Sequence, residues 1–158
     1  MKKLVVYYSY TGNTKKLAKI IAEKIGAETL EIETETPYSD DYDLVVENAK
    51  VEIRKKATPK LIPLKTNVDD YDLIVLGTPV WWYSMAPATR SFLTENALKD
   101  KKVYVFATNG GWLGHTFEDI KKMCPNAKFE EMLNVEFDED VMRTSEKKVE
   151  EFINKIKA

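Results

Sequence analysis

The sequence predicts an α/β fold in which helices cover both faces of a mainly parallel β-sheet. Three segments are continuously apolar and rich in β-branched or aromatic residues, at positions 4–8, 73–76 and 103–107. Runs of this kind are typical of strands that are buried on both faces. A segment with helical spacing of its apolar residues follows each of them. This alternation predicts a parallel sheet with right-handed crossover connections.

Two further strands are predicted where apolar and polar residues alternate. They lie at 29–33 and, more loosely, at 129–137. Alternation is typical of half-exposed strands at the edge of a sheet. The order 2-1-3-4-5 places both at edges, whereas the order 3-2-1-4-5 would bury the second strand and place the apolar third strand at an edge. We therefore predict a three-layer α/β/α sandwich around a five-stranded parallel sheet of order 2-1-3-4-5.

Five helices are predicted, at 13–25, 40–56, 87–98, 117–123 and 144–157. The apolar faces of the first two helices are assigned to Leu17, Ile20, Ile21, Ile25, Leu44, Val45, Ala49 and Val51. Pro87 suits the first turn of the third helix, where the missing N–H costs nothing. A cap is expected near Ser145, at the start of the fifth helix.

Length and composition indicate one domain, 1–158, with a sizeable core. The 24 basic and 26 acidic residues are mixed along the chain, and the net charge is −2. A nucleic-acid-binding protein would need clustered basic residues, which are absent. No apolar run approaches the roughly 20 residues of a membrane span. We expect a cytoplasmic protein that binds neither nucleic acid nor a membrane.

The chain has one cysteine, Cys124, which excludes an internal disulfide and a cysteine-rich metal site. Its position at the end of a predicted helix is typical of a buried structural thiol. We predict no metal site.

The functional site is expected at the carboxyl ends of the central strands, where ligands bind in open α/β sheets. Three loops leave the sheet there, with the sequences SYTGNT (9–14), TPVWWYSMAP (78–87) and TNGGWLG (108–114). In the order 2-1-3-4-5, the topological switch point lies between the first and third strands. The fold should therefore bring these three loops together.

The loop SYTGNT joins a buried strand to a helix and is rich in short hydrogen-bonding side chains. Gly12 permits a tight turn, and the helix N-terminus supplies free N–H groups with a partial positive charge. The hydroxyl and amide groups exceed what a helix cap needs. The loop has neither the triphosphate-binding nor the dinucleotide-binding glycine pattern. We interpret it as a cup for a terminal monophosphate.

The other two loops indicate a flat aromatic ligand. Trp81, Trp82 and Tyr83 are consecutive, so they cannot all face one core, and an exposed aromatic side chain there suits stacking on a ring system. In TNGGWLG, three glycines within five residues would let the backbone approach a ligand closely. Trp112 would cover the edge of the ring. A monophosphate at one end and a planar ring at the other is the shape of flavin mononucleotide (FMN).

These motifs closely resemble the flavodoxin family. SYTGNT matches its phosphate loop, and GTPVWWYSMAP with TNGGWLG resembles the ring loops of a subgroup that carries a double tryptophan. The resemblance covers essentially the whole chain and is to the short-chain type. Many members have glycine after the double tryptophan, where this chain has Tyr83. Electron-carrier flavodoxins also tend to be more acidic than a net charge of −2.

The resemblance implies a set of FMN-binding residues. The phosphate would be held by Ser9, Tyr10, Thr11, Gly12, Asn13 and Thr14. The ring would be flanked by Thr78, Pro79, Val80, Trp81, Trp82 and Tyr83. Its pyrimidine side and the ribityl chain would be lined by Thr108, Asn109, Gly110, Gly111 and Gly114.

Three functions are compatible with such a site. The first is electron transfer to a redox partner protein through the exposed edge of the flavin. The second is an NAD(P)H-dependent FMN oxidoreductase acting on quinones or similar small planar acceptors, which need only stack on the flavin. The third is a non-catalytic flavin-binding or sensory module. We rank the first narrowly above the second, because no nicotinamide-binding motif is visible.

No catalytic side chain is required, because the flavin carries the chemistry. His115, the only histidine, is expected to be a solvent-facing residue at a helix start, with proton donation as the less favoured alternative. A monomer and a homodimer are both compatible with the sequence.

Overall fold

The computed structural model describes all 158 residues and contains seven strands and five α-helices. The strands are β1 (Lys3–Tyr7), β2 (Glu28–Glu31), β3 (Leu73–Trp81), β4 (Ser84–Met85), β5 (Lys102–Asn109), β6 (Lys128–Asp138) and β7 (Val141–Met142). The helices are α1 (Asn13–Ile25), α2 (Tyr42–Arg54), α3 (Pro87–Glu95), α4 (Thr116–Met123) and α5 (Glu146–Lys157). A 3₁₀ turn at Val68–Asp70 precedes β3.

The sheet is dominated by parallel pairs, which run in the order β2-β1-β3-β5-β6. Two short strands make it mixed, because β4 pairs antiparallel with β3 and β7 pairs antiparallel with β6. The α/β prediction is therefore confirmed, but the prediction of five wholly parallel strands is wrong. Each added strand has only two residues and folds back after a tight turn, so it leaves no periodic pattern in the sequence.

Two apolar clusters cover the two faces of the sheet. On one face, α1 and α5 pack on alternate residues of the central strands, with Ile21 and Phe152 among the buried side chains. On the other face, α3 and α4 pack on the intervening residues, with Phe92 and Ile120 completely buried. The long apolar runs are thus explained, because both faces of β1, β3 and β5 are covered.

Helix α2 departs from this arrangement. Only Val45 and Ala49 are buried on it, and neither belongs to the two core clusters. Leu44 and Val51, which we predicted on its apolar face, are about half exposed. Ile20 of α1 is likewise 39% exposed, because the helix face that contacts the sheet is narrower than the apolar face predicted from the sequence. The inward face of α2 therefore points toward something other than the sheet core.

Several local predictions are confirmed. As predicted, Ser145 caps α5 by accepting from the N–H group of Lys148. The structure also shows a cap that was not predicted, at Asp41, which accepts from the N–H groups of Asp43 and Leu44 at the start of α2. Pro87 occupies the first turn of α3. Cys124 is buried, and its burial raises the pKa of the thiol to about 11. None of the helices is long and apolar enough to cross a membrane.

Candidate functional site

The SYTGNT loop places the hydroxyl of Ser9 at the N-terminus of α1. The Ser9 Oγ accepts from the backbone N–H groups of Gly12 and Lys15, both at 3.2 Å. Gly12 is the N-cap residue of α1, with a φ of 106°, a conformation that favours glycine, and it has no side chain with which to cap the helix. An added side-chain carbon at Gly12 would meet nothing within 4 Å. Ser9 occupies the N–H of Lys15 in the first turn, and the N–H groups of Asn13 and Thr14 remain available to an anion.

Three other polar side chains of this loop, those of Tyr10, Asn13 and Thr14, are bonded to the protein. Thr14 is buried, and its hydroxyl pairs with that of Thr108 at 2.8 Å. Asn13 donates to the backbone oxygen of Glu139 at 2.7 Å. Tyr10 donates its hydroxyl to the oxygen of Ser39 at 2.5 Å. Thr11 and Gly12 are exposed at the loop tip. In this conformation, the three bonded side chains do not face an anion, and the backbone N–H groups and the Thr11 hydroxyl do.

The double-tryptophan segment is a β-hairpin, which the sequence did not predict. Val80 and Trp81 of β3 pair with Met85 and Ser84 of β4, so the turn consists of Trp82 and Tyr83 alone. Both turn residues have positive φ, at 48° and 66°. Two-residue hairpin turns of type I′ require this backbone, and they usually use asparagine or glycine. The hairpin therefore holds Tyr83 at the position where many members of the resembled family have glycine.

Aromatic rings surround Trp81. Tyr8, Tyr10 and Tyr38 each meet it edge to face, with ring centroids 5.1–5.9 Å apart. Burial, followed by hydrogen bonding to Glu52, raises the pKa of Tyr38. Burial, reinforced by the charges of Asp40 and Asp41, raises the pKa of Tyr10. These tyrosines therefore remain neutral, and they fix the plane of the Trp81 indole.

Thr78 and Pro79 lie below the hairpin and differ in exposure. Thr78 is fully buried, and its Oγ1 donates to the oxygen of Pro79 while accepting from the hydroxyl of Thr89. Its hydroxyl thus anchors α3 to β3. Pro79 remains partly accessible.

The third loop is shaped by Asn109. Its side-chain oxygen accepts from the N–H groups of Gly111 and Trp112 at 2.9 and 3.0 Å, and its amide donates to Asn134 at 2.6 Å. Gly110 lies beneath the Trp112 ring, where an added side-chain carbon would approach to 3.1 Å. Gly111 has a φ of 121°. The loop is therefore a fixed turn, and the Trp112 ring lies over it. The Trp112 residue is 56% exposed.

Gly114 permits close contact with the hairpin rather than only with a ligand. An added side-chain carbon would lie 2.4 Å from Tyr83 Cβ and 2.5 Å from its backbone oxygen. The next N–H, of His115, donates to that same oxygen at 2.9 Å. The second and third loops are thus one unit.

His115 adds a side-chain link between the same elements. Its Nδ1 lies 2.5 Å from Asp119 Oδ2, which also accepts from the buried Ser84 hydroxyl at 2.6 Å. Burial alone would raise the pKa of Asp119, but hydrogen bonds from Ser84 and His115 lower it on balance. Ser84 points at the carboxylate and not at the imidazole, so the three residues do not form a nucleophilic triad. The imidazole is mostly exposed, as expected from the sequence.

The three loops meet at a cleft of about 320 Å³ in which every lining residue is apolar or aromatic. Its lining residues are Tyr10, Tyr42, Val45, Val46, Ala49, Val80, Trp81, Trp82, Tyr83 and Trp112. The structure thus brings together six residues from the three predicted loops. The remaining four come from α2, and the inward face of this helix lines the cleft.

Sequence reasoning missed the contribution of α2. Trp82 Nε1 donates to the backbone oxygen of Val46 at 2.7 Å, and the Lys50 ammonium lies 5.2 Å from the Trp82 ring centre. These contacts fix the helix beside the hairpin. No sequence pattern indicates these contacts, because the helix follows an edge strand and has an ordinary amphipathic pattern.

Comparisons with known proteins agree with this geometry. The sequence profile of the family described as Flavodoxin matches residues 2–155. The chain belongs to the flavodoxin family. Membership confirms the family predicted from its loops and supports FMN as the cofactor.

Two solved structures are similar over most of their lengths. A Bacteroides eggerthii DSM 20697 protein assigned as a flavoprotein is 28% identical, with a TM-score of 0.82 over 99% of this chain and 98% of that one. A flavoprotein of Lactobacillus acidophilus NCFM, solved in complex with FMN, is 25% identical. Its TM-score is 0.75, and the match covers 84% of this chain and 92% of that one.

A curated relative carries an enzymatic name. The NAD(P)H dehydrogenase (quinone) of Archaeoglobus fulgidus is 27% identical over 115 residues. The match covers 67% of this chain and 60% of the length of that relative.

Proposed function

We propose that the protein is an FMN-dependent redox protein that passes electrons through its bound flavin. The observation that carries this proposal is the open N-terminus of α1 beside an all-apolar aromatic cleft. These two features fit the phosphate and the ring of FMN. Family membership and the FMN complex of the Lactobacillus acidophilus relative support the same cofactor.

The residues in each loop have distinct roles in this proposal. The residues Ser9 to Thr14 place the helix N-terminus against the phosphate. Trp81, Trp82 and Tyr83 exclude water from the ring, with Val80 beneath them. Thr78 holds the hairpin on α3, and Pro79 borders the ring. Asn109 fixes the turn of the third loop by accepting from the N–H groups of Gly111 and Trp112, and Thr108, Gly110, Gly111 and Gly114 complete the wall beside the ring.

When bound, FMN supplies the reversible uptake of electrons, and the protein sets its environment. The apolar lining disfavours added negative charge on the ring, which lowers the reduction potential and makes the reduced protein a ready donor. No side chain is needed as nucleophile or proton carrier.

A protein redox partner is the first choice of acceptor. The segment from Glu28 to Glu47 has eight acidic and no basic residues, and it leads into α2. Asp40 and Asp41 are close enough to raise the pKa of Tyr10 at the cleft. This local negative charge favours a basic partner and opposes the phosphates of a dinucleotide.

An NAD(P)H-dependent oxidoreductase acting on quinones or similar small acceptors is the second candidate. It is favoured by the all-apolar aromatic lining of the cleft and by the name of the Archaeoglobus fulgidus relative.

Anaerobic addition of NADPH to the FMN-loaded protein separates the two candidates. We expect the visible flavin absorbance to persist until a separate reductase is added. Rapid bleaching by NADPH alone would instead identify the enzyme. Failure of the protein to retain FMN on gel filtration would contradict both.

A further inference from the structure

A carboxylate outside the cleft is bonded to the hairpin and to the residue that follows the third loop. Asp119 lies on α4, and its side chain is 20% exposed. Its Oδ2 accepts from the Ser84 hydroxyl of the hairpin at 2.6 Å and pairs with His115 Nδ1 at the start of α4. None of these three residues lines the cleft. A ligand in the cleft therefore meets the hairpin that Asp119 holds, and not Asp119 itself.

Ser84 is the point at which Asp119 holds the hairpin. It is 1% exposed, and Asp119 is the only hydrogen-bond partner of its hydroxyl. Hydrogen bonds to a charged acceptor are stronger than those between neutral groups, and a buried hydroxyl left unpaired costs free energy. Ser84 directly follows the two-residue turn and pairs with Trp81 across the hairpin. A shift of Ser84 would therefore move both Trp81 and the turn.

The turn depends on such contacts because its backbone is strained. Trp82 and Tyr83 have φ values of 48° and 66°, which residues other than glycine rarely adopt. The Tyr83 oxygen accepts from the His115 N–H at 2.9 Å, so His115 is bonded to the turn by its backbone and to Asp119 by its side chain. Tyr83 lines the cleft and is 52% exposed. If these contacts were lost, the turn could relax and the Tyr83 ring could leave the cleft.

We infer that Asp119 is a positioning residue, which holds the hairpin over the flavin ring through Ser84 and His115. The inference rests on the proposed function, because it assigns the support of that same site. The hairpin supplies three aromatic side chains to the cleft wall. A wall that is fixed before binding excludes water from the ring and loses little conformational freedom when the ring binds. Asp119 therefore acts on the ring of the flavin, and not on the phosphate at the N-terminus of α1.

The test compares the binding of FMN and of riboflavin, which lacks the phosphate, to the Asp119→Ala variant. The substitution removes both contacts of the carboxylate, and we expect the affinities for the two flavins to fall by the same factor, about tenfold. The midpoint potential of the bound flavin should also rise, because a loosened hairpin admits water that stabilises the negative charge of the reduced ring. A loss of overall stability alone would not shift this potential.

Two further substitutions separate the positioning role from the charge. Asp119→Asn keeps an oxygen that can accept from Ser84, so it should retain most of the flavin affinity of the original chain. Glu118→Ala is the matched control, because Glu118 is an exposed acidic residue in the same first turn of α4. It should change neither the two affinities nor the potential.

Ser84→Ala covers the case in which Asp119→Ala does not fold. It removes the buried hydroxyl together with the need for a partner, so the buried site stays satisfied. Ser84→Ala should weaken both flavins by a similar factor. In the double variant with Asp119→Ala, the combined effect should be smaller than the sum of the two free-energy changes, because both substitutions break the same hydrogen bond.

Four results would overturn the inference. The first is unchanged flavin affinity and potential in both Asp119→Ala and Ser84→Ala. The second is a loss of affinity for FMN alone, which would assign the effect to the phosphate end. The third is full additivity in the double variant, and the fourth is an equal effect of Glu118→Ala. Each of these results requires flavin binding by the original chain, so its absence there would mark failure of the proposed function instead.

Discussion

Single residues of the hairpin turn hold backbone strain in the site. Trp82 and Tyr83 adopt positive φ without being glycine, and each such residue costs about 1 kcal/mol. The strain is sustained by contacts that fix the turn from two sides, namely the Trp82–Val46 bond and the acceptance of the His115 N–H by Tyr83. The turn is therefore rigid and presents Tyr83 to the cleft mouth.

Tyr83 provides a direct measure of this strain. Tyr83→Ala removes the ring but keeps the strained backbone, whereas Tyr83→Gly removes both. We expect the glycine variant to be more stable than the alanine variant by about 1 kcal/mol in urea unfolding of the FMN-free protein. An alanine variant as stable as the glycine variant would show that the turn is unstrained.

Asp119 makes the stability depend on pH. Its folded-state pKa is lower than the ordinary value of 3.8, so the folded protein binds fewer protons there than the unfolded chain. The contribution of Asp119 to the free energy of unfolding is fully present above its ordinary pKa, and it is lost as the pH falls through the lower folded-state pKa. Asp119→Asn should flatten this part of the stability profile, and Ser84→Ala should flatten it partly, in urea titrations from pH 2.5 to 6. An unchanged slope in Asp119→Asn would contradict the assignment.

At the scale of elements, the Trp82–Val46 bond couples the hairpin to α2. Trp82→Phe removes this donor, and a hydrogen bond of this type contributes about 1 kcal/mol. Hydrogen exchange of the α2 amides in the FMN-free protein should therefore quicken by roughly fivefold.

Trp112→Phe is the matched control, because the Trp112 ring is exposed and lines the cleft from the third loop. It should leave exchange in α2 unchanged. Equal effects of the two substitutions would mean that the hairpin does not hold the helix.

The elements also differ in how far the sequence predicts them. The continuous apolar runs of β1, β3 and β5 were predictable because burial on both faces removes polar residues. Strands β4 and β7 were not, since two residues show no period and Trp82-Tyr83 lacks the usual turn residues. For α2, the sequence indicates an amphipathic helix but not which face is buried, because its apolar residues surround more than one side.

At the scale of the whole molecule, the fold brings together loops that are far apart in sequence. Thr14 and Thr108 are 94 residues apart and share a hydrogen bond, and Tyr83 packs against Gly114. The convergence of the loops was predictable from strand order alone. The internal bonding of Thr14, Thr78 and Asn109 was not, because their hydroxyl and amide groups suit a ligand and the protein equally well.

In the proposed function, the α1 N-terminus binds the phosphate of FMN and the aromatic cleft binds its ring. A comparison of the affinities of FMN and riboflavin tests this arrangement, because the two molecules differ only in the phosphate. Isothermal titration should give an FMN affinity on the order of 100-fold higher, as expected for charge-assisted hydrogen bonds to a helix N-terminus. Equal affinities for the two flavins would show that the SYTGNT loop does not bind the phosphate, and would contradict the account.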